Sequence, residues 1–337
     1  MKILIFGANG FVGPYLINEF LNKDYEVSAS DLQEELFTEG FREKLFEGRE
    51  VGYFSCDILS SNDVEKLITQ EKPDGIINLA AISSVGQSWS IPAKTMEINV
   101  IGTLNILEAV RKVKAESKET SDVYSPKLLL IGSSEEYEMT EDAITEETPL
   151  DASNPYGISK IAQEHFAEIY SKNYNLDISY IRAFNHTGIG QRETFVLPSF
   201  VRQVAELTKK GEEGTISVGN LNIYRDFCDV RDIVRGYRMA FEQMLVEKSD
   251  KDLDDKRTLP VYNIGSGTAY NLGELLDYII SLSSEKILTR IDPSRYRPVD
   301  QLTIKADATK IRTELGWNPE YTIYDTLKEM FDYFLND

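Results

Sequence analysis

Three residue groups in this chain have the types and spacing for a coupled proton and hydride transfer. Tyr156 and Lys160 stand four apart in Tyr156-Gly157-Ile158-Ser159-Lys160. Ser133 lies upstream, at the end of an apolar run. A glycine loop, Gly7-Ala8-Asn9-Gly10-Phe11-Val12-Gly13, sits near Met1. Residues four apart on a helix share a face. An ammonium near a phenol favours the phenolate, so Lys160 is expected to draw the Tyr156 pKa from about 10 toward neutrality. Tyr156 then serves as general acid or base. The Ser133 hydroxyl can hold the same substrate oxygen. A Tyr-x-x-x-Lys pair alone is only a helix surface. With the glycine loop and the upstream serine it describes a dinucleotide-dependent oxidoreductase.

The loop has its own chemistry. Gly7, Gly10 and Gly13 allow a sharp turn and a close backbone approach to a pyrophosphate, with N–H donors from the next helix. Asn9, Phe11 and Val12 lie between them. Asp31 follows Gly7 by 24 residues, at the end of a second strand-like run. Its carboxylate can accept from ribose hydroxyls and repels a 2′-phosphate. The next residues, Leu32-Gln33-Glu34-Glu35, bring no compensating base. NAD(H) is therefore the expected cofactor, with NADP(H) as the alternative. Asp57 is placed to accept from the adenine amino group, or else caps a turn.

Apolar strands alternate with helical patterns along the first half. Lys2–Phe6, Glu26–Ser30, Gly75–Leu79, Lys127–Ile131 and Asp177–Ala183 read as strands. Gly13–Leu21, Thr95–Val113 and Pro155–Asn173 read as helices. This alternation predicts an α/β fold: a Rossmann-type doubly wound parallel sheet with a smaller mixed α/β substrate-binding cap. Residues 1–184 form the expected dinucleotide domain, with returning segments near 224–266. Residues 185–223 and 267–337 form the expected substrate-binding domain. Pro198–Lys210 reads as a helix, and Asp226–Asp232 as the opening of another. Val261–Ile264 is a short strand, and the remainder is expected to be helical and polar. Lys114–Ser125 and Glu247–Arg257 read as solvated surface insertions.

Composition narrows the class. The chain has 337 residues and a net charge of −20, which speaks against a nucleic-acid or anionic-membrane binder. Cys56 and Cys228 give no disulfide framework, and His165 and His186 belong to no zinc-ligand pattern, so no metal is expected. The first apolar run is too short for a signal peptide, no stretch approaches membrane-spanning length, and the expected location is the cytoplasm.

The motifs together resemble the extended short-chain dehydrogenase/reductases that modify nucleotide sugars. The resemblance rests on GANGFVG, Asp57-Ile58, NLAA at Asn78–Ala81, Ser133, YGISK and AFNHTG at Ala183–Gly188. It sharpens toward the GDP-mannose branch through Phe184–Phe200, Val218–Val234, Tyr262–Gly267 and Asp292–Gln301. Within that branch it is nearest to the 4-keto-6-deoxy-mannose reductases, with the 4,6-dehydratases close behind. The resemblance implies reduction of the 4-keto group of a GDP-4-keto-6-deoxyhexose to give GDP-D-rhamnose. Tyr156 would supply the proton, Ser133 would hold the oxygen, and Lys160 would bind the nicotinamide ribose. Ile58, Leu79, Ala80 and Ala81 would line the cofactor site. Ser134, Asn185, Arg225, Arg297 and Asp300 would bind the GDP-sugar, the arginines at its diphosphate. Glu135 occupies the place of the proton-abstracting glutamate of a dehydratase, which keeps that reaction open. An epimerase or reductase of another sugar, such as a heptose, and a catalytically silent NAD-binding regulator are the other readings. A homodimer is implied, pairing Thr95–Val113 and Pro155–Asn173 through stripes such as Met96, Val100, Leu104 and Leu107, then Ile161, Phe166 and Ile169.

Overall fold

The protein is described by a computed structural model covering residues 1–46, 48–117, 124–246, 259–296 and 301–336. In the first half the elements run β1 (Lys2–Phe6), α1 (Gly13–Leu21), β2 (Glu26–Asp31), α2 (Phe41–Phe46), β3 (Gly52–Ser55), α3 (Ser61–Glu71), β4 (Gly75–Asn78), α4 (Val85–Ser90), α5 (Pro92–Met96), α6 (Gly102–Ser117) and β5 (Lys127–Ser133). They continue with α7 (Pro155–Tyr174), β6 (Asp177–Ala183), β7 (Asn185–Thr187), α8 (Val196–Lys210), β8 (Gly214–Val218), β9 (Tyr224–Asp229) and α9 (Val230–Val246). The last are β10 (Val261–Ile264), β11 (Ala269–Asn271), α10 (Leu272–Ser281), β12 (Ile287–Ile291), β13 (Thr303–Ile304), α11 (Thr309–Leu315) and α12 (Ile323–Asn336).

Seven strands form one sheet in the order β10-β6-β5-β4-β1-β2-β3, all parallel. The expected Rossmann-type parallel sheet is present. The strand order reverses between β1 and β4, where such sheets open a crevice at their carboxyl ends. The apolar run of β1 serves both faces. Ile3 and Ile5 enter the core with α1 and α9, whereas Leu4 and Phe6 enter the core with α3 and α6. Alternate residues on a strand point to opposite faces, so a strand covered on both sides must be apolar throughout. A third core, among α8, α10 and α12, belongs to the smaller part of the molecule. There β9 pairs with β7, β11 and β13, and β8 pairs with β12.

Four expectations are corrected. Tyr224–Asp229 is a strand, and its helix starts only at Val230. The Asp226 side chain spends its oxygens on the N–H groups of Ser266, Gly267 and Ala306, tying three segments together rather than capping a helix. The region after Ile264 holds β11, β12 and β13 as well as helices. The helix expected over Thr95–Val113 is broken into α5, a π-helical turn at Glu97–Ile101 and α6. The extra residue lets Asn99 bind Ile82 through both its oxygen (2.8 Å) and its nitrogen (3.1 Å), and Ser159 at 2.8 Å. Lys114 is buried in α6 and donates to the Asn175 carbonyl at 2.5 Å, so that end of the charged stretch is no loop. Residues 118–123 and the expected insertion at 247–257 lie outside the described residues.

Among the apolar positions expected at a dimer face, Val100 and Leu107 are buried and Ile169 is exposed. Met96, Leu104, Ile161 and Phe166 are half-buried. Each helix gives one side to its own sheet. The exposed apolar residues on this surface are Ile101, Ile158, Ile169 and Tyr174. Among the described residues no helix is long and apolar enough to cross a membrane.

Candidate active site

The glycine loop leaves β1 against the end of β4. Gly7 has φ +81°, and a Cβ there would stand 2.5 Å from the Ala80 nitrogen. Only glycine fits both demands. A Cβ on Gly13 would stand 2.2 Å from the Ala8 carbonyl oxygen, so α1 starts pressed onto the loop. Val12 precedes α1 without a side-chain cap, and Pro14 opens the helix. First-turn N–H groups thus face the loop, as a pyrophosphate requires. These features fit a dinucleotide.

Asp31 accepts from the backbone N–H of Asn9 at 2.9 Å and of Leu32 at 2.7 Å. It therefore braces the loop from the carboxyl end of β2. The Asn9 side chain extends the brace: its amide donates to the Glu35 carbonyl at 2.9 Å and accepts from the Phe37 N–H at 2.8 Å. Phe11 stacks on His186 of β7, with ring centroids 6.1 Å apart, and so joins the loop to the smaller part of the molecule. Asp57 accepts from the Leu59 N–H at 2.9 Å, the turn role. Ile58 is buried against Gly102, and Leu79 and Ala80 continue β4 beside Gly7. Ala81, next in line, is half-buried.

Ser133 ends β5, and Tyr156 and Lys160 lie in the first turns of α7. Asn154 caps α7 by accepting from the Gly157 N–H at 2.9 Å, with Pro155 next. The same Asn154 amide donates to Glu135 Oε2 at 2.8 Å. A Cβ on Gly157 would stand 2.1 Å from the Glu135 carbonyl oxygen. The turn after β5 is thus pressed onto the start of α7, and Ser133 comes within hydrogen-bonding reach of Tyr156.

Lys160 does not do what spacing alone suggested. Its Nζ donates to the Ile131 carbonyl at 2.7 Å and to Gln163 Oε1 at 3.1 Å, and lies 5.9 Å from the Tyr156 ring centroid. Burial pushes the Tyr156 phenol above its ordinary value; the Ser133 hydrogen bond opposes this, and the Glu136 and Glu135 carboxylates add to it. The expected fall toward neutrality is therefore corrected: desolvation dominates, and the two nearby carboxylates reinforce it. Burial lowers Lys160 to about 8, with Glu136 pulling the other way. Tyr156 stays a phenol through neutral pH, poised to give a proton rather than to take one.

A cleft opens beside this group. Ser134, Glu135, Tyr137, Asn154 and Arg225 line it, with Val85, Met139, Ser153, Gln301 and Ile304. Arg225 is buried and donates to the Tyr224 carbonyl at 2.8 Å. Asn185, at the start of β7, keeps its side-chain Nδ2 buried with no hydrogen-bond partner. A donor in that state fits an anionic or hydroxylated ligand. Arg297 and Asp300 lie outside the described residues. Sequence reasoning missed Asn99, Asn154 and Glu136. The Asn154-Pro155 pair was a readable helix start; the other two act only through residues far away in sequence.

The family pattern for GDP-mannose 4,6 dehydratase matches residues 4–330. The chain belongs to the GDP-mannose 4,6 dehydratase family. That places it among the extended short-chain dehydrogenase/reductases, as an NAD(P)-dependent enzyme of nucleotide-sugar chemistry. GDP-6-deoxy-D-mannose reductase of Pseudomonas aeruginosa is 30% identical over 77% of this chain and 79% of that protein. GDP-mannose 4,6-dehydratase of Vibrio cholerae is 27% identical over 98% of this chain and 92% of that protein. Among solved structures, UDP-glucuronic acid 4-epimerase from Bacillus cereus, in complex with UDP-glucuronic acid and NAD, superposes with a TM-score of 0.80 at 25% identity, covering 100% of this chain and 99% of that one. RMD from Pseudomonas aeruginosa, complexed with NADPH, has the same fold, with a TM-score of 0.77 at 24% identity over 100% and 99% of the two chains.

The buried Lys160 makes a pH signature measurable here. Lys160 keeps its proton to about 10.5 when unfolded but only to about 8 when folded. Between those values the unfolded chain binds the extra proton, so this residue makes stability rise with pH through that window. Thermal midpoints across the window should therefore climb less in Lys160→Met than in the parent. An equal climb in both would show that Lys160 does not titrate there.

Proposed function

We propose that this enzyme reduces the 4-keto group of a GDP-4-keto-6-deoxyhexose, giving GDP-D-rhamnose. The single observation that carries the reading is the buried phenol of Tyr156 facing Ser133 beside a cleft that Arg225 lines. A ketone oxygen that gains hydride becomes an alkoxide and needs an adjacent acid. The similarity to GDP-6-deoxy-D-mannose reductase supports the same choice.

The residues divide the work as follows. The Ser133 hydroxyl holds the C4 oxygen. Tyr156 Oη gives its proton to that oxygen as it develops charge. When bound, a reduced nicotinamide supplies the hydride. Gly7, Gly10, Gly13 and the N-terminus of α1 would hold its pyrophosphate, and Asp31 its adenosine ribose. Lys160 would reach the nicotinamide ribose. Asn185 and Arg225 would take the diphosphate of the sugar nucleotide, with Ser134 beside the sugar. Glu135 stands in the cleft on a neutral amide partner, and this keeps 4,6-dehydration as the second reading. Incubation with GDP-mannose, with and without an added 4,6-dehydratase and NAD(P)H, separates the two by mass. Reduction only after dehydratase treatment supports the reductase. Loss of water from GDP-mannose by this chain alone supports dehydration.

Tyr156→Phe keeps the ring and removes the proton. Turnover should fall by about 10²–10⁴ with dinucleotide affinity retained. Turnover within a few-fold of the parent would take Tyr156 out of the mechanism.

Arg225→Ala should raise the GDP-sugar KM with NADH binding little changed. Loss of a charged hydrogen bond is worth about 1.5–3 kcal/mol. Calorimetry showing lost NADH binding and intact GDP affinity would reverse the assignment.

Asp31 should make NADH the better cofactor through repulsion of a 2′-phosphate, most strongly at low salt. Steady-state comparison with NADPH checks this; a preference for NADPH would refute it. Arg42, which donates to the Asn9 carbonyl at 3.2 Å, is the nearby base to replace next in that event.

The enzyme should also be a homodimer paired through α6 and α7, where Ile101, Ile158 and Ile169 stay exposed. Light scattering at micromolar concentration should give twice the chain mass, and a monomeric mass contradicts it.

A further inference from the structure

Glu136, one place beyond Glu135, has no part in the chemistry described so far. It is 0% exposed. Its Oε1 accepts the Ser133 N–H at 2.6 Å and the Tyr180 hydroxyl at 3.3 Å. Its Oε2 is buried with no hydrogen-bond partner. Such a group is costly unless a charge or a bond compensates it. Gly132 makes the room: a Cβ there would stand 2.3 Å from Glu136 Oε1 and 2.4 Å from the Tyr180 ring.

The charged and titratable groups facing Glu136 come from two packed elements and its own turn. From α7 they are Tyr156, Lys160 and Glu164. From β6 they are Tyr180 and Arg182, and from the turn Tyr137. Arg182 is already committed. It grips Glu164 twice, Nε to Oε2 at 2.8 Å and Nη2 to Oε1 at 2.6 Å, while Nη1 donates to the Tyr137 hydroxyl and the Glu146 carbonyl. That leaves one buried acid and one buried base, Glu136 and Lys160. The acceptors of Lys160 are neutral oxygens of Ile131 and Gln163.

We propose that Glu136 is a positioning residue of the catalytic centre, fixing Ser133 through its amide and serving as the acidic counter-group that keeps Lys160 an ammonium. Burial drives the two toward neutrality, and each favours the charged form of the other. Groups in that relation titrate as a pair. The hold on Ser133 stands on the 2.6 Å hydrogen bond, and the pairing with Lys160 on the shared burial of the two groups; only the consequence for turnover rests on the reductase reading.

The test follows Lys160 directly. The full chain carries ζ-¹⁵N-lysine, and the Lys160 signal is assigned by its loss in Lys160→Arg. Glu136→Gln keeps an oxygen for the Ser133 amide but cannot ionise. Its Lys160 midpoint should drop by about one unit, the scale expected for a lost opposite charge nearby. The basic limb of kcat for ketone reduction should move down with it. An unmoved midpoint in folded Glu136→Gln overturns the proposal. Should that variant not fold, δ-¹³C-glutamate in the parent decides instead. The Glu136 and Lys160 signals must then move through one shared pH step, and independent steps overturn it. A shifted midpoint without reduction of any keto-sugar nucleotide supports the coupling and removes the functional reading. Reduction with an unshifted midpoint does the reverse.

Discussion

The rest of the active site depends on one contact, between the turn after β5 and the first turn of α7. Ser133 and Tyr156 are 23 residues apart in the chain. They meet because the Glu135 carbonyl lies where a Gly157 side chain would be, and because Asn154 caps α7 while holding Glu135. A bulkier residue at 157 would push the helix off the turn, and Tyr156 would leave Ser133. Close packing converts that absence of a side chain into the alignment of the Ser133 and Tyr156 hydroxyls.

Behind this contact the chain buries a group of charges that would be ruinous if unpaired. Arg182 and Glu164 share two hydrogen bonds, and the Tyr137 hydroxyl passes from Arg182 to Asn263 at 2.6 Å. These residues come from the β5 turn, α7, β6 and β10. The network therefore fixes the relative positions of four elements, of which the β5 turn and the start of α7 border the cleft. Burial beside it raises the Tyr156 phenol, which therefore stays protonated where side-chain spacing alone argues for a phenolate.

The net charge of −20 gives no hint of a site for a diphosphate. In the proposed reading, phosphate groups would be met locally: the dinucleotide's by the start of α1, the sugar nucleotide's by Asn185, whose amide nitrogen is unpartnered, and by the buried Arg225. Each acts over a few ångströms, where surface carboxylates are screened.

The sequence by itself determined the parallel sheet, the glycine loop after β1, and the placing of Ser133 at a strand end and of Tyr156 and Lys160 on one helix. These rest on local rules: period-two burial, a backbone conformation open to glycine, and helix spacing. It also placed Asp31 correctly at the end of β2, though not its bond to the Asn9 N–H. The π-helical turn at Asn99, the strand at Tyr224–Asp229 and the partners of Lys160 were decided only by the tertiary structure. In each case a side chain answers to a group distant in sequence: Asn99 to Ile82 and Ser159, Asp226 to Ser266 and Ala306, Lys160 to Ile131. Propensity and spacing carry no information about such partners. Burial does, because a polar group withdrawn from water must find a hydrogen bond wherever the fold provides one.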